Sequence, residues 1–261
     1  MGEMIKELFE YRSLLIAFTI RNIHMKYKQT VMGFLWAIFM PSIIVLSGVV
    51  VKGAMATLSG HSLDISQFAS VTVKSLPWAF FVGALKFSTN SLVGNMELVK
   101  KIYFPREVFP FSYVLGQLFD LFIASLAFTV ILIFTKLGIS SHIIWLPVLI
   151  LFLVLFTAGL GMLLACGNLF YRDVRYIVDV ILTFGIFFTP VFYEASMFPQ
   201  WETALLLNPI GAILESINRV VVLQKAPDVI WLVYAGFWAI ICFFGSWYIF
   251  HKTEPLFAEK I

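Results

Sequence analysis

The chain has 261 residues, 61% hydrophobic and only 13% charged, with a formal net charge of +3. Soluble domains carry about a quarter charged residues, and their helices show an apolar stripe rather than apolar residues all round. A soluble fold is therefore excluded, and no length remains for a separate soluble domain beside the apolar runs at 33–58, 71–93, 109–134, 142–167, 177–193 and 229–250.

A helix needs roughly 20 residues to cross a hydrocarbon core, and each run reaches or approaches that. The sequence predicts an all-α membrane protein forming one domain over 1–261. It comprises an interface helix in 1–30, six spans within 33–250, a broken hairpin over 196–228 and a tail at 251–261.

Residues 1–10 carry acids beside Lys6 and are followed by no small-residue cleavage site, so no cleavable signal peptide is expected. Ile5, Leu8, Phe9, Leu15, Ile16, Ile20 and Ile23 recur at helical spacing, with Glu3, Lys6, Glu7, Glu10 and Arg21 off that face. The apolar run 14–20 is too short to cross, which favours an amphipathic helix lying in the membrane plane over a first span. The first two spans follow, joined by a short polar connection at 59–70, and Lys52, Lys74 and Lys86 lie within them. The third span carries Asp120, for which Lys86 is the expected structural partner, since an intramembrane acid needs a reason to be there. Cys166 and Cys242 fall inside spans and offer neither a disulfide framework nor metal-ligand spacing, so packing is their expected role.

Segment 196–228 is too long and apolar for a simple loop and too short to cross twice. Asn208-Pro209 breaks it, because proline lacks a backbone donor and disfavours helix in the residue before it. Two readings stand: a pair of short helices dipping into the outer leaflet under the cover of protein, or a helix lying flat outside.

With six spans both termini share a side. Lys6, Arg12, Arg21, Lys26, Lys28, Lys100, Lys101, Arg106, Arg172, Arg175, Lys252 and Lys260 fall on that side, against Lys136, Arg219 and Lys225 on the other. The positive-inside rule then puts both termini in the cytoplasm. No phosphate-binding Gly-Lys-Ser/Thr loop, His-Glu-x-x-His or paired-cysteine motif occurs, so no catalytic residue, metal ligand or cofactor is assigned to this chain.

Three stretches are specific. They are Tyr27–Trp36 (YKQTVMGFLW) running towards Pro41, Asn95–Glu107 (NMELVKKIYFPRE), and Asn168–Arg175 (NLFYRDVR) leading to Thr189-Pro190-Val191-Phe192-Tyr193. Together they resemble the permease subunits of type-2 ABC exporters that move O-antigen, capsule or teichoic acid. The resemblance covers nearly the whole chain. It departs at Met32, where a leucine is usual, and at Gln29, where a basic residue is common.

The resemblance implies a homodimer with two copies of a separate cytoplasmic ATPase, which would hold the ATP and Mg²⁺, in a bacterial or archaeal cell membrane. Asn95, Glu97, Lys100, Lys101, Tyr103, Phe104, Pro105 and Arg106 then form the expected ATPase-coupling element, with Arg172 and Asp173 as a second contact able to pair with each other. An ordinary positive-inside loop would also be basic; the exposed aromatics and proline favour docking. Trp36 and Phe39 on the first span, and Phe184, Phe187, Phe188 and Tyr193 on the fifth, are candidates for a translocation path, since aromatic faces stack on sugar rings and allow sliding. Belt and lipid-facing roles compete for the same residues. Lys26, Lys28 and Arg106 are candidates to hold a polyprenyl diphosphate through charge-assisted hydrogen bonds, or equally to meet anionic headgroups.

Other classes fit less well. A membrane enzyme needs a converging polar cluster, and a secondary transporter needs paired broken helices. A drug-efflux permease usually carries a large insertion where 59–70 is short.

Overall fold

The computed structural model describes residues 2–58, 64–101, 104–134, 138 and 140–260. Its helices are α1 (Gly2–Glu10), α2 (Arg12–Tyr27), α3 (Leu35–Leu58), α4 (Ile65–Thr89), α5 (Ser91–Gly94), α6 (Met96–Lys101), α7 (Val108–Phe134), α8 (Leu146–Phe170), α9 (Val174–Phe188), α10 (Glu202–Leu206), α11 (Pro209–Val221) and α12 (Val229–Lys260). Single 3-10 turns precede α8 and α10. No strand occurs among the described residues.

The described residues form the expected all-helical architecture with long apolar helices. Among the described residues, five stretches are long and apolar enough to cross a membrane: Leu35–Leu58, Ile65–Thr89, Val108–Val130, Ser141–Phe170 and Val229–Phe257. The run at 177–193 behaves differently. Its helix α9 has 15 residues, a rise of about 22 Å against roughly 30 Å of hydrocarbon. The helix stops because Thr189 precedes Pro190 and is held extended, at φ −116° and ψ 137°. The chain then continues as Val191 and Phe192, both buried.

The hub of the bundle is α4. Every residue from Ser70 to Trp78 is buried, and α3, α7, α8, α9 and α11 all pack against it. Pro41 and Pro77 sit inside α3 and α4, which neighbouring helices make tolerable. Helices α8 and α12 make an extensive and close contact. Gly159 permits it, because a β-carbon there would lie 2.7 Å from the Cys242 backbone. Small residues at such crossings let helices approach when no water is present to drive them together.

Residues 2–27 are helical, split at Tyr11 into α1 and α2, and their faces are divided. Phe18, Asn22 and Tyr27 are buried on the side of α2 that packs on α7. Phe9, Ile16 and Ile20 remain exposed. Thus two apolar faces exist, one for protein and one for the surroundings, where the periodicity suggests a single stripe.

Segment 196–228 folds into the two short helices α10 and α11, divided at Leu207–Asn208. Asn208 caps α11, its side chain accepting from Ile210 N, and Pro209 occupies the first turn, where its missing donor costs nothing. The Asn208 amide donates to Thr189 Oγ1 at 3.0 Å, and Tyr234 on α12 donates to Leu207 O at 2.6 Å. The break in the backbone is therefore satisfied by the protein itself. Gly211 is required here: a β-carbon would meet Leu205 O at 2.7 Å.

Candidate functional site

One end of the bundle gathers the C-terminal ends of α4, α8 and α12 and the start of α7. There the Asn168 amide donates to Thr89 O at 3.0 Å, joining the ends of α8 and α4. The expected coupling residues lie at this end. Asn95 accepts from Arg21 Nη2 at 2.7 Å and donates to Ser91 O at 2.8 Å, so it fastens α2 to the α5–α6 turn. Glu97 is exposed on α6, and the backbone of Lys100 and Lys101 closes that helix. Tyr103 lies outside the described residues.

Phe104 and Pro105 correct one expectation. Both are buried, and the Phe104 ring lies 6.0 Å from Phe18 and 5.4 Å from Phe109. The apolar face of α2 takes up this aromatic, so its exposure cannot argue for a docking plug. Arg106 donates from Nη1 to Glu254 O at 2.6 Å, and its Nε lies 3.9 Å from Glu254 Oε1. Arg172 and Asp173 are exposed in the turn between α8 and α9, and no ion pair joins them.

The aromatic candidates fall into two groups, one on α3 and one on α9 and the extended segment after it, and both helices pack on α4. Trp36 and Phe39 meet edge to face at 5.4 Å on α3. Phe184, Phe187 and Phe188 are exposed on α9, which approaches α4 at Gly185, over Trp78. Tyr193 donates to Phe187 O at 3.0 Å and meets Phe198 edge on at 5.4 Å. Trp36 also lines an apolar cleft of about 680 Å³ between α3, α4 and α7. Lys26, Lys86, Gln117 and Asp120 contribute its polar lining.

The three cations proposed for a diphosphate do not converge. Lys26 pairs with Asp120, Lys28 is exposed at the end of α2, and Arg106 is committed to Glu254 on α12. Asp120 itself has partners other than the expected one. It accepts from Lys26 and from the Tyr27 hydroxyl, because α2 folds back along α7. Burial, then the hydrogen bond to Asp120, pushes the Tyr27 hydroxyl pKa far upward, so it remains a donor. Lys86 pairs instead with Asp179 on α9 at 3.3 Å.

A second charged group lies at the opposite end, near the start of α4. Lys52 reaches Glu194 at 3.1 Å, and Ser70 donates to the same oxygen at 3.4 Å. Lys74, wholly buried, donates to Tyr193 O and lies 3.5 Å from Glu215. Burial works against the Glu194 charge, but Lys52 first and Lys74 after it outweigh that, and its pKa falls below the usual carboxylate value. This cluster bolts the connection after α9, and α11, to α3 and α4. Sequence reading noted both lysines without a role; the acids flanking 196–214 were the signal available.

An ABC-2 type transporter family model matches residues 13–221. The chain is 28% identical over the full length of both chains to the O-antigen export system permease protein RfbA of Myxococcus xanthus. It is 24% identical, over 94% of each chain, to a protein of the same name from Klebsiella pneumoniae. A further Klebsiella pneumoniae protein of that name is 25% identical over 78% of each. The chain belongs to the ABC-2 type transporter family, and its helical apolar bundle is that of a membrane permease.

Proposed function

We propose that this ABC-2 family member is the membrane-spanning subunit of an exporter that carries a lipid-linked polysaccharide, of O-antigen type, outward across the inner membrane. The observation that carries the reading is the full-length similarity to an O-antigen export permease. In this reading the chain works as a homodimer with two copies of a cytoplasmic ATPase, which hold the ATP and Mg²⁺. Both termini are cytoplasmic, as the Lys/Arg distribution supports. The fifth crossing combines α9 with the extended residues 189–193, and α10–α11 form a re-entrant cap on the outer side. The α5–α6 turn and the exposed 171–173 turn are the ATPase contacts, and the exposed aromatics of α3 and α9 face the path between protomers. Capsule or teichoic acid polymers would make the same demands on the path.

The test is removal of the chain from its own cell. Surface glycan is expected to disappear while lipid-linked glycan accumulates inside, and re-expression should restore display. Undiminished surface glycan in the deletion strain would reject the proposal.

A further inference from the structure

Glu107, at the start of α7, faces His251 and Glu254, which lie three residues apart on the last turns of α12. His251 Nδ1 is 3.6 Å from Glu107 Oε1 and 3.6 Å from Glu254 Oε2. One ligand atom from each residue falls within 4.8 Å of the others. We propose that these three side chains bind one first-row divalent cation, Zn²⁺ foremost, which pins the start of α7 to the end of α12. This goes beyond the transport reading and does not depend on it.

The distances favour a cation over direct contact. At 3.6 Å the imidazole is too far from either carboxylate for a hydrogen bond. Ligands about 2.1 Å from a tetrahedral Zn²⁺ stand roughly 3.4 Å apart, so the imidazole already stands near ligand spacing from each carboxylate, and the two carboxylate oxygens, within 4.8 Å of each other, must draw together. One imidazole nitrogen with two carboxylate oxygens is a donor set that Zn²⁺ accepts, leaving a fourth position for water.

A second observation is independent of that spacing. Glu107 is buried, and its Oε2 has no hydrogen-bond partner. A buried carboxylate with an orphan oxygen is costly unless a positive charge meets it. Arg106, the neighbouring cation, points instead at Glu254, donating to its main-chain carbonyl. The outer contacts also suit ligation. Trp247 Nε1 donates to Glu107 Oε1 at 3.3 Å, and Arg106 N donates to Glu254 Oε1 at 3.4 Å. Such hydrogen bonds orient metal-bound carboxylates. His251 is about half exposed on the single chain, so its ring is not sealed inside the protein.

The experiment uses the full chain, purified in detergent through a tag without histidines, stripped with EDTA and desalted. Titration with Co²⁺ should produce visible d–d bands saturating at one ion per chain, and Zn²⁺ should abolish them. Zn²⁺, but not Mg²⁺, should raise the unfolding temperature. His251→Ala, at a half-exposed position that the fold can spare, should weaken binding by roughly 10- to 100-fold or more and abolish the Zn²⁺-induced shift. Glu254→Gln should weaken it likewise. Absence of the Co²⁺ bands, or Zn²⁺ binding of equal strength in wild type and His251→Ala, would overturn the proposal and leave these residues as an ion-pair cluster.

Discussion

Asp120 and Glu194 carry the most informative contacts at the scale of single residues. Asp120 holds the Tyr27 hydroxyl and Lys26, and Tyr27 is buried. Asn at position 120 keeps an acceptor for Tyr27, whereas Leu leaves a buried hydroxyl unpaired. Asp120→Leu is therefore expected to lower stability by about 1–3 kcal/mol more than Asp120→Asn, the cost of an unsatisfied buried polar group. Thermal unfolding of both variants in detergent checks this, and equal losses would dismiss the hydrogen-bond account. Glu194 has a folded pKa below its ordinary value, so its contribution is present at neutral pH and is lost as pH falls through and below the usual carboxylate range. Glu194→Gln should be less stable than wild type near neutrality, and the gap should narrow in acid. A gap that does not change with pH would mean that the Lys52 pair contributes through packing alone.

Among the elements, α10 and α11 carry the proposed re-entrant cap. Leu207, between them, is 54% exposed on the single chain, so within a bilayer lipid or a partner protomer would shield it from water. If the pair dips into the bilayer, Leu207→Cys should resist a membrane-impermeant maleimide. Gln200→Cys and Lys225→Cys, at exposed positions, should label rapidly from outside. Equal labelling of all three would make the segment a surface loop. The cap of α11 belongs to the same logic, since Asn208 meets both Ile210 N and Thr189 and couples the broken hairpin to the end of α9.

The whole molecule presents one end bearing α5, α6 and the 171–173 turn, which the proposed function assigns to an ATPase. Charge reversal at Lys100 and Lys101 together should reduce copurification with that ATPase and stimulation of its turnover, while membrane insertion stays normal. The purified chain alone should hydrolyse no ATP. Unaltered binding and stimulation by the double variant would reduce the segment to a topological signal.

The sequence by itself determined the class. Long apolar runs admit only helices, because a bilayer offers no water to satisfy open backbone. It also determined the break at Asn208-Pro209, which is local backbone chemistry, and the family, which the 27–36, 95–107 and 168–193 stretches carried; the stop at Pro190, inside a run read as a span, was not among the expectations. Pairing was another matter. Asp120 meets Lys26 rather than Lys86, Lys86 meets Asp179, and Lys52 and Lys74 meet Glu194 and Glu215. These partners lie 93 or more residues apart in the chain, and depth along a span does not say which faces turn towards each other. Burial of Phe104 likewise followed from α2 lying on α7. Contacts of this kind depend on helix rotation and side-by-side packing, which only the assembled bundle fixes.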